Sequence, residues 1–195
     1  MSYHIYQTEG IILNKKDVGE ADRIFSILTK DFGRIDAISQ GVRYVKSKLR
    51  YNLNDFSYSR IGLTMSGDLW RIIDAEELDS WADIRSNPKK LAVVSRLAEL
   101  VNRMVRGQEP DTSLWNEVKN AFVALDILDT RYLIIKENLG DALRIFELLT
   151  SLRILSYLGY VEEHKKWLAL PLEKAREMES LMSSTIEKAI KESQL

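Results

Sequence analysis

The chain has 195 residues, of which 45% are hydrophobic and 29% charged, and its formal net charge is −1. This composition is typical of a soluble globular protein and excludes an intrinsically disordered chain. The length suits one large domain or two small ones. Because the net charge is close to zero, any affinity for a polyanion must come from local clusters of Lys and Arg.

Three absences limit the possible locations and chemistries. The sequence contains no cysteine, which excludes disulfides and thiolate metal sites. Residues 1–5 lack the basic region and apolar run of a signal peptide. No apolar run reaches the roughly 18–20 residues that a membrane-spanning helix requires. We therefore expect a cytoplasmic protein that makes no contact with a membrane.

Residues 3 to about 78 have the pattern of short β-strands. The segments 3–13, 23–29, 34–39, 53–63 and 69–78 are rich in β-branched and aromatic residues. Glu9-Gly10 predicts a bend or bulge in the first strand, and residues 15–20 predict a polar turn after it. Five strands with small turns between them predict a small closed β-barrel.

From about residue 80 the apolar residues recur at helical spacing instead. Asn87-Pro88 is a typical helix start, because asparagine caps and proline suits the first helical position. The spacing predicts helices near 88–106, 111–128, 130–158 and 171–192, the third of them central in a bundle. The predicted fold class is therefore α+β, with a five-stranded barrel over residues 1–80 and an all-α domain over residues 81–195.

The segment Gly41–Tyr51 combines four cations with two tyrosines and has no acid. A charge run is usually a solvated face. Here, however, aromatic side chains that can stack on bases are interleaved with the cations, and a small barrel is a common scaffold for single strands. We therefore predict a nucleic-acid-binding surface that consists of Arg43, Lys46, Lys48, Arg50 and Tyr44, extended by Lys15, Lys16 and Arg34 from neighbouring turns.

No catalytic constellation is apparent in the sequence. His4 and His164 lie far apart, and neither a glycine-rich phosphate loop nor a His-Glu-x-x-His motif is present. Glu20, Asp22 and Asp36 are the candidate metal ligands of a nuclease, but turn and ion-pair roles explain them better. We expect no enzyme activity, no metal and no cofactor.

Ordered motifs in both halves of the chain resemble a known family. The first half contains Glu9-Gly10-Ile11-Ile12-Leu13, then Gly19-Glu20-Ala21-Asp22-Arg23-Ile24 with Thr29 and Gly33, then Gly41-Val42-Arg43 with Lys46-Ser47-Lys48-Leu49. The second half contains Leu97-Ala98-Glu99-Leu100, Glu109-Pro110-Asp111 with Leu114, and Phe146-Glu147 leading to Leu158-Gly159-Tyr160. In this order and spacing they resemble the RecO family of bacterial recombination mediators, over about residues 3–160.

The resemblance implies an OB-fold barrel followed by a helical domain. It also implies binding of single- and double-stranded DNA, annealing of complementary strands, and partnership with RecR and single-stranded-DNA-binding protein so that the recombinase RecA can load. The basic positions of the family motif fall on Arg43, Lys46 and Lys48, whereas Arg23 would have a structural role. We expect the free chain to be a monomer.

The sequence departs from the family pattern in one feature. Many family members carry a four-cysteine zinc module after the Leu-Gly-Tyr element, but residues 161–170 contain no cysteine. Zinc is therefore not expected, and partner contacts made in that region are in doubt.

Two alternative functions stay open from the sequence. One is an RNA-binding module of the same fold, which uses the same stacking and phosphate contacts. The other is a protein-interaction scaffold that does not bind nucleic acid.

Overall fold

The computed structural model describes residues 4–128, 139–162 and 164–193. By its contacts the chain divides into two compact units. The first unit contains Met1–Trp81 and Val105–Trp115, and the second contains Ala82–Met104 and Asn116–Leu195. We predicted a boundary at residue 80 because the spacing of apolar residues changes there. That change does not reveal that the later segment Val105–Trp115 belongs to the first unit.

The first unit is a closed barrel of five strands. They are β1 (Tyr6–Val18), β2 (Asp22–Thr29), β3 (Gly33–Ser39), β4 (Tyr58–Ser66) and β5 (Leu69–Asp79). The strands close in the order β1-β2-β3-β5-β4, and only the β3–β5 pair is parallel. This arrangement confirms the predicted fold class, an OB-fold barrel followed by helices.

The barrel interior follows the alternation of the sequence. In β3, Ile35 and Ala37 are buried in the core, whereas Asp36 between them is exposed. The interior also contains Phe25, Ile27, Val42, Leu53, Ile61, Leu63, Trp70, Ile72 and Ala75. Because successive side chains of a strand point to opposite faces, the outer face is available for polar and functional residues.

The bulge in β1 does not lie where the sequence suggested. The register shifts between Ile12 and Asn14, whereas Glu9 and Gly10 pair regularly with β4. A Cβ atom on Gly10 would lie 2.7 Å from Ile27 Cγ2 and 2.9 Å from Ile61 Cδ1. The glycine therefore permits close packing inside the barrel and is not a bend.

Two strand boundaries also differ from the prediction. Residues 15–18 were expected in a turn, but they pair with residues 22–25 of β2, so the β1–β2 hairpin is longer than expected. The fourth strand begins at Tyr58 and not at Leu53. Leu53 is buried in the barrel core from the segment before that strand, and its apolar character made the segment resemble a strand.

The helices of the described residues follow the barrel. They are α1 (Ala82–Ser86), α2 (Pro88–Met104), α3 (Thr112–Ile127), α4 (Leu139–Tyr157), α5 (His164–Ala169), α6 (Leu172–Ala175) and α7 (Glu179–Glu192). The Asn87 side chain caps α2, since its Oδ1 accepts hydrogen bonds from the N–H groups of Lys89 and Lys90 at 3.0 and 3.3 Å. Among the described helices, none has the length and apolar character needed to cross a bilayer.

The two longest predicted helices correspond to α4 and to α6 with α7. Residues 130–138 of the predicted third helix lie outside the described residues, and α4 contains the rest except residue 158. Leu149, Leu152 and Leu155 of α4 pack in one core with Trp167 and Met182. The predicted helix over 171–192 consists of α6 and α7, separated by the 3₁₀ turn Arg176–Met178.

A buried lysine links the first three helices. Lys90 is fully buried, and its Nζ donates to the Asp83 carboxylate and to the carbonyl oxygens of Asp126 and Leu128, at 3.1 and 2.7 Å. The Asp126 carboxylate in turn accepts hydrogen bonds from the N–H groups of Asp83 and Ile84, at 3.0 and 2.9 Å. A buried charge is tolerated only when such partners satisfy it.

We expect Lys90→Met to lower the free energy of unfolding by about 3 kcal/mol, because it leaves the acceptors of this network without their donor. Urea denaturation of the purified chain measures the change. The control is Lys89→Met, which alters the exposed neighbour on the same helix. Equal stability of the two variants would contradict the role of the buried ammonium group.

Candidate nucleic-acid interface

The segment Gly41–Tyr51, here called the basic connector, leads from β3 towards β4 and is fixed at its start to the β1–β2 turn. The N–H of Gly41 donates to Asp22 Oδ1 at 2.8 Å, and the N–H of Arg43 donates to the Ala21 carbonyl at 3.0 Å. Gly41 has φ +65°, a left-handed conformation that glycine adopts without steric cost. These bonds determine where the connector leaves the barrel.

Apolar side chains anchor the basic connector along its length. Val42 is buried in the barrel core, and Leu49 packs against the same core from the 3₁₀ turn Lys48–Tyr51. The residues between these two anchors are therefore held on the surface of the barrel.

The outward side of the basic connector carries cations and aromatic rings. Lys46, Lys48 and Arg50 are exposed, and none of them forms an ion pair with another of the described residues. Tyr44 and Tyr51 are also exposed, at 63% and 66%. This is the combination that single-stranded nucleic acid requires, since cations meet phosphates and aromatic faces stack on bases.

Arg43 differs from the other connector cations because it has protein partners. Its Nη1 donates to the Gly19 carbonyl at 3.0 Å, and its Nε lies 3.4 Å from Asp17 Oδ2. Asp17 also accepts a bond from Arg23 Nε at 2.6 Å. That bond, with the charges of Arg23, Arg43 and Lys15, lowers the pKa of Asp17, so this carboxylate is ionised at neutral pH.

The three outlying cations of the predicted surface have different environments. Lys15 Nζ lies 2.6 Å from Asp55 Oδ2, and Arg34 Nη2 lies 3.1 Å from both oxygens of Asp36. Lys16 is exposed and has no ion-pair partner in the part of the chain that the structure describes. Contrary to the prediction, all three lie in strands β1 and β3 and not in turns. Lys16 is thus the outlying cation most available to a ligand.

Two of the three carboxylates considered for a nuclease, Asp22 and Asp36, are engaged in other ways. Asp22 accepts the Gly41 N–H, and Asp36 is bound by Arg34 and by the Ser26 hydroxyl. Within residues 4–128, 139–162 and 164–193, no three His, Asp or Glu side chains converge as metal ligands. The geometry therefore gives no support to metal-dependent chemistry at these positions.

Arg71 is a cation on this side of the barrel that the sequence did not indicate as part of the surface. The parallel pairing of β3 with β5 places Arg71 beside Ile38, on the outer face that also bears Lys16. Alternation along β5 predicts that Arg71 points outward, because Trp70 and Ile72 are apolar. Its neighbours come from a pairing between strands distant in sequence, which no local pattern reveals.

Several known proteins are similar to this chain in sequence. Residues 1–81 match the family model "Recombination protein O N terminal". "DNA repair protein RecO" of Acetivibrio thermocellus is 29% identical over 154 residues, which cover 79% of this chain and 57% of that protein. The protein of the same description from Heliobacterium modesticaldum is 29% identical over 159 residues, covering 82% of this chain and 53% of the relative.

A third relative has higher identity over a shorter stretch. "DNA repair protein RecO" of Gloeothece citriformis is 36% identical over 110 residues, or 56% of this chain and 39% of the relative. The chain spans about half the length of the curated relatives it matches. The matched N-terminal domain is the five-stranded barrel described above, and the similarity extends into the helices. The chain is thus similar to DNA repair proteins named RecO, in its barrel and in part of its helical region.

Proposed function

We propose that this chain binds single- and double-stranded DNA and that the basic connector is its principal contact with the phosphate backbone. The observation that carries the proposal is the presence of Lys46, Lys48 and Arg50 on an anchored segment, each exposed and without an ion-pair partner among the described residues. Phosphate contacts of this kind position a protein on DNA without selecting a base sequence. They serve single and double strands alike.

The proposed mechanism is neutralisation of phosphate charge without catalysis. Bound cations reduce the repulsion between two complementary strands, so annealing needs no nucleotide hydrolysis, metal or cofactor. Arg43 has a mixed role in this scheme, because it also fixes the connector to the β1–β2 turn. Tyr44, exposed beside the cations, stacks on bases when they are unpaired.

The relatives' description as DNA repair proteins supports a role in DNA repair. We propose that the chain acts in the cytoplasm with RecR and single-stranded-DNA-binding protein and helps RecA to load. In this scheme the barrel over residues 1–80 meets DNA, and the helical domain over residues 81–195 supplies surfaces for proteins. The free chain is a monomer.

The triple variant Lys46→Glu, Lys48→Glu, Arg50→Glu should lose single-stranded DNA affinity by about 100-fold at low salt, because three phosphate contacts become repulsive. Fluorescence anisotropy with a labelled oligonucleotide measures the loss. The matched control is Lys174→Glu, Lys188→Glu, Lys191→Glu, which changes net charge equally on exposed sites elsewhere. The site assignment is wrong if the connector variant folds and binds no more weakly than this control.

Asp17→Asn should raise affinity for single-stranded DNA about two- to threefold at low salt, because it removes a negative charge beside Arg43 and releases that guanidinium. The comparison variant is Asp74→Asn on β5, which changes the net charge by the same amount on an exposed residue outside the proposed surface. Fluorescence anisotropy with the labelled oligonucleotide measures the affinity of both variants. An equal gain for both variants would mean that only net charge matters, and not the position of Asp17.

A further inference from the structure

The stretch between the basic connector and β4 has the alternation of a strand without forming one. In residues 52–57, called here the return segment, Leu53 is buried in the barrel core, whereas Asn52 and Asn54 on either side of it are half-buried. The structure assigns none of these six residues to a strand. The polar groups of the return segment therefore need partners other than those of a regular β-ladder.

Two asparagine side chains of the return segment bond to β5 at matching intervals. Asn52 Nδ2 donates to the Ala75 carbonyl at 2.9 Å, and Asn54 Nδ2 donates to Glu77 Oε1 at 3.3 Å. The donors lie two residues apart in the return segment, and the acceptors lie two residues apart in the strand. The two bonds make a short ladder of side-chain amides, called here the amide ladder, which joins the return segment to the barrel.

The amide of Asn54 also bonds to the last residue of the basic connector. Its Nδ2 donates to the Tyr51 carbonyl at 2.9 Å, in addition to its bond with Glu77. An amide nitrogen carries two hydrogens, so both bonds form together. The two acceptors determine the orientation of the amide, because the opposite orientation would turn its oxygen towards two other oxygens. Asn54 therefore connects the end of the connector directly to β5.

The amide ladder acts on the part of the connector that carries two of its exposed cations. Tyr51 ends the 3₁₀ turn on which Lys48 and Arg50 are exposed. A turn of four residues is not rigid by itself, since helix formation begins with a costly nucleus. Leu49 holds this turn on the side of the core, and the amide ladder holds its end against β5.

We propose that Asn54, together with Asn52, is a positioning residue for DNA binding, because the amide ladder holds Lys48 and Arg50 where they meet phosphates. Neither asparagine touches DNA in this scheme. Cations that are held in place before binding lose less conformational entropy when they meet a ligand, so the ladder raises affinity without adding a contact. The inference rests on the proposed function and deepens it, since it identifies what orders the last turn of the connector.

Asn54→Ala removes both bonds of this amide and leaves every cation of the surface in the chain. We expect its affinity for single-stranded DNA to fall about fourfold at low salt, because Lys48 and Arg50 must then be ordered on binding. Asn52→Ala, which removes the other bond of the ladder, should give a loss of similar size. Fluorescence anisotropy with a labelled 20-nucleotide strand measures both. The control is Asn120→Ala, at an exposed asparagine of α3, which should match the wild type.

A double-mutant cycle separates positioning of the cations from a general structural effect. In a chain that carries Lys48→Gln and Arg50→Gln, adding Asn54→Ala should weaken binding only about 1.5-fold, because the cations that the amide positions are absent. The same fourfold loss in both backgrounds would overturn the inference, since it would mean that Asn54 acts independently of these two cations.

An exchange of hydrogen-bonding groups tests the bond to β5 itself. Asn54→Asp places a carboxylate beside Glu77 and should weaken binding about tenfold. Combined with Glu77→Gln, it restores an amide donor and a carboxylate acceptor at the net charge of the wild type, and the affinity should return to within about threefold of the wild type.

The gain from Glu77→Gln alone measures the effect of charge, and the recovery in the exchange variant must exceed it. A recovery no larger than that gain would overturn the role of the amide ladder. The exchange variant keeps a hydrogen bond at this place, so it carries the test if Asn54→Ala does not fold.

The outcomes separate this inference from the proposed function. If the connector triple variant loses binding while Asn54→Ala binds as tightly as Asn120→Ala, the amide ladder does not position the cations and the proposed function stands. If the wild-type chain binds no DNA, or if the connector triple variant binds like its own control, the proposed function fails and this inference with it.

Discussion

The surface that we assign to DNA depends on the attachment of the basic connector to the β1–β2 turn. Two backbone N–H groups, those of Gly41 and Arg43, bind Asp22 and Ala21, and Val42 enters the barrel core directly between them. Lys46, Lys48 and Arg50 repel one another, and no described acid forms an ion pair with them. Anchoring by hydrogen bonds and apolar burial keeps these cations together, and the barrel gives the anchors a rigid base.

The acidic side chains near this surface bear on the proposal that a chain with net charge −1 binds a polyanion. Asp17, Asp36 and Asp55 are each held by a nearby cation. The pair with Arg23 joins β1 to β2, the pair with Lys15 joins β1 to the segment before β4, and the pair with Arg34 lies within β3. The cations of the surface that take no part in ion pairs among the described residues are exposed; they are Lys16, Lys46, Lys48 and Arg50. Under the proposed function, the local distribution of charge, and not its sum, determines the affinity for DNA.

The sequence predicts what depends on neighbours along the chain. The alternation of Ile35, Asp36 and Ala37 identifies the inner face of β3, and Asn87 identifies the start of α2. Features that depend on distant pairings could not be predicted. The ion pairs of Arg43 and Lys15, the position of Arg71 beside Ile38, and the bond from Trp70 Nε1 to Gln108 Oε1 at 2.9 Å all join segments that no local pattern connects.

The salt dependence of single-stranded DNA binding by the wild-type chain tests the central claim most directly. If the basic connector and Lys16 contribute three or four phosphate contacts, the log of the binding constant should fall with the log of the salt concentration with a slope of about −2 to −3. A measurable affinity that does not change with salt would contradict the account, because it would show that phosphate charge is not what the chain recognises.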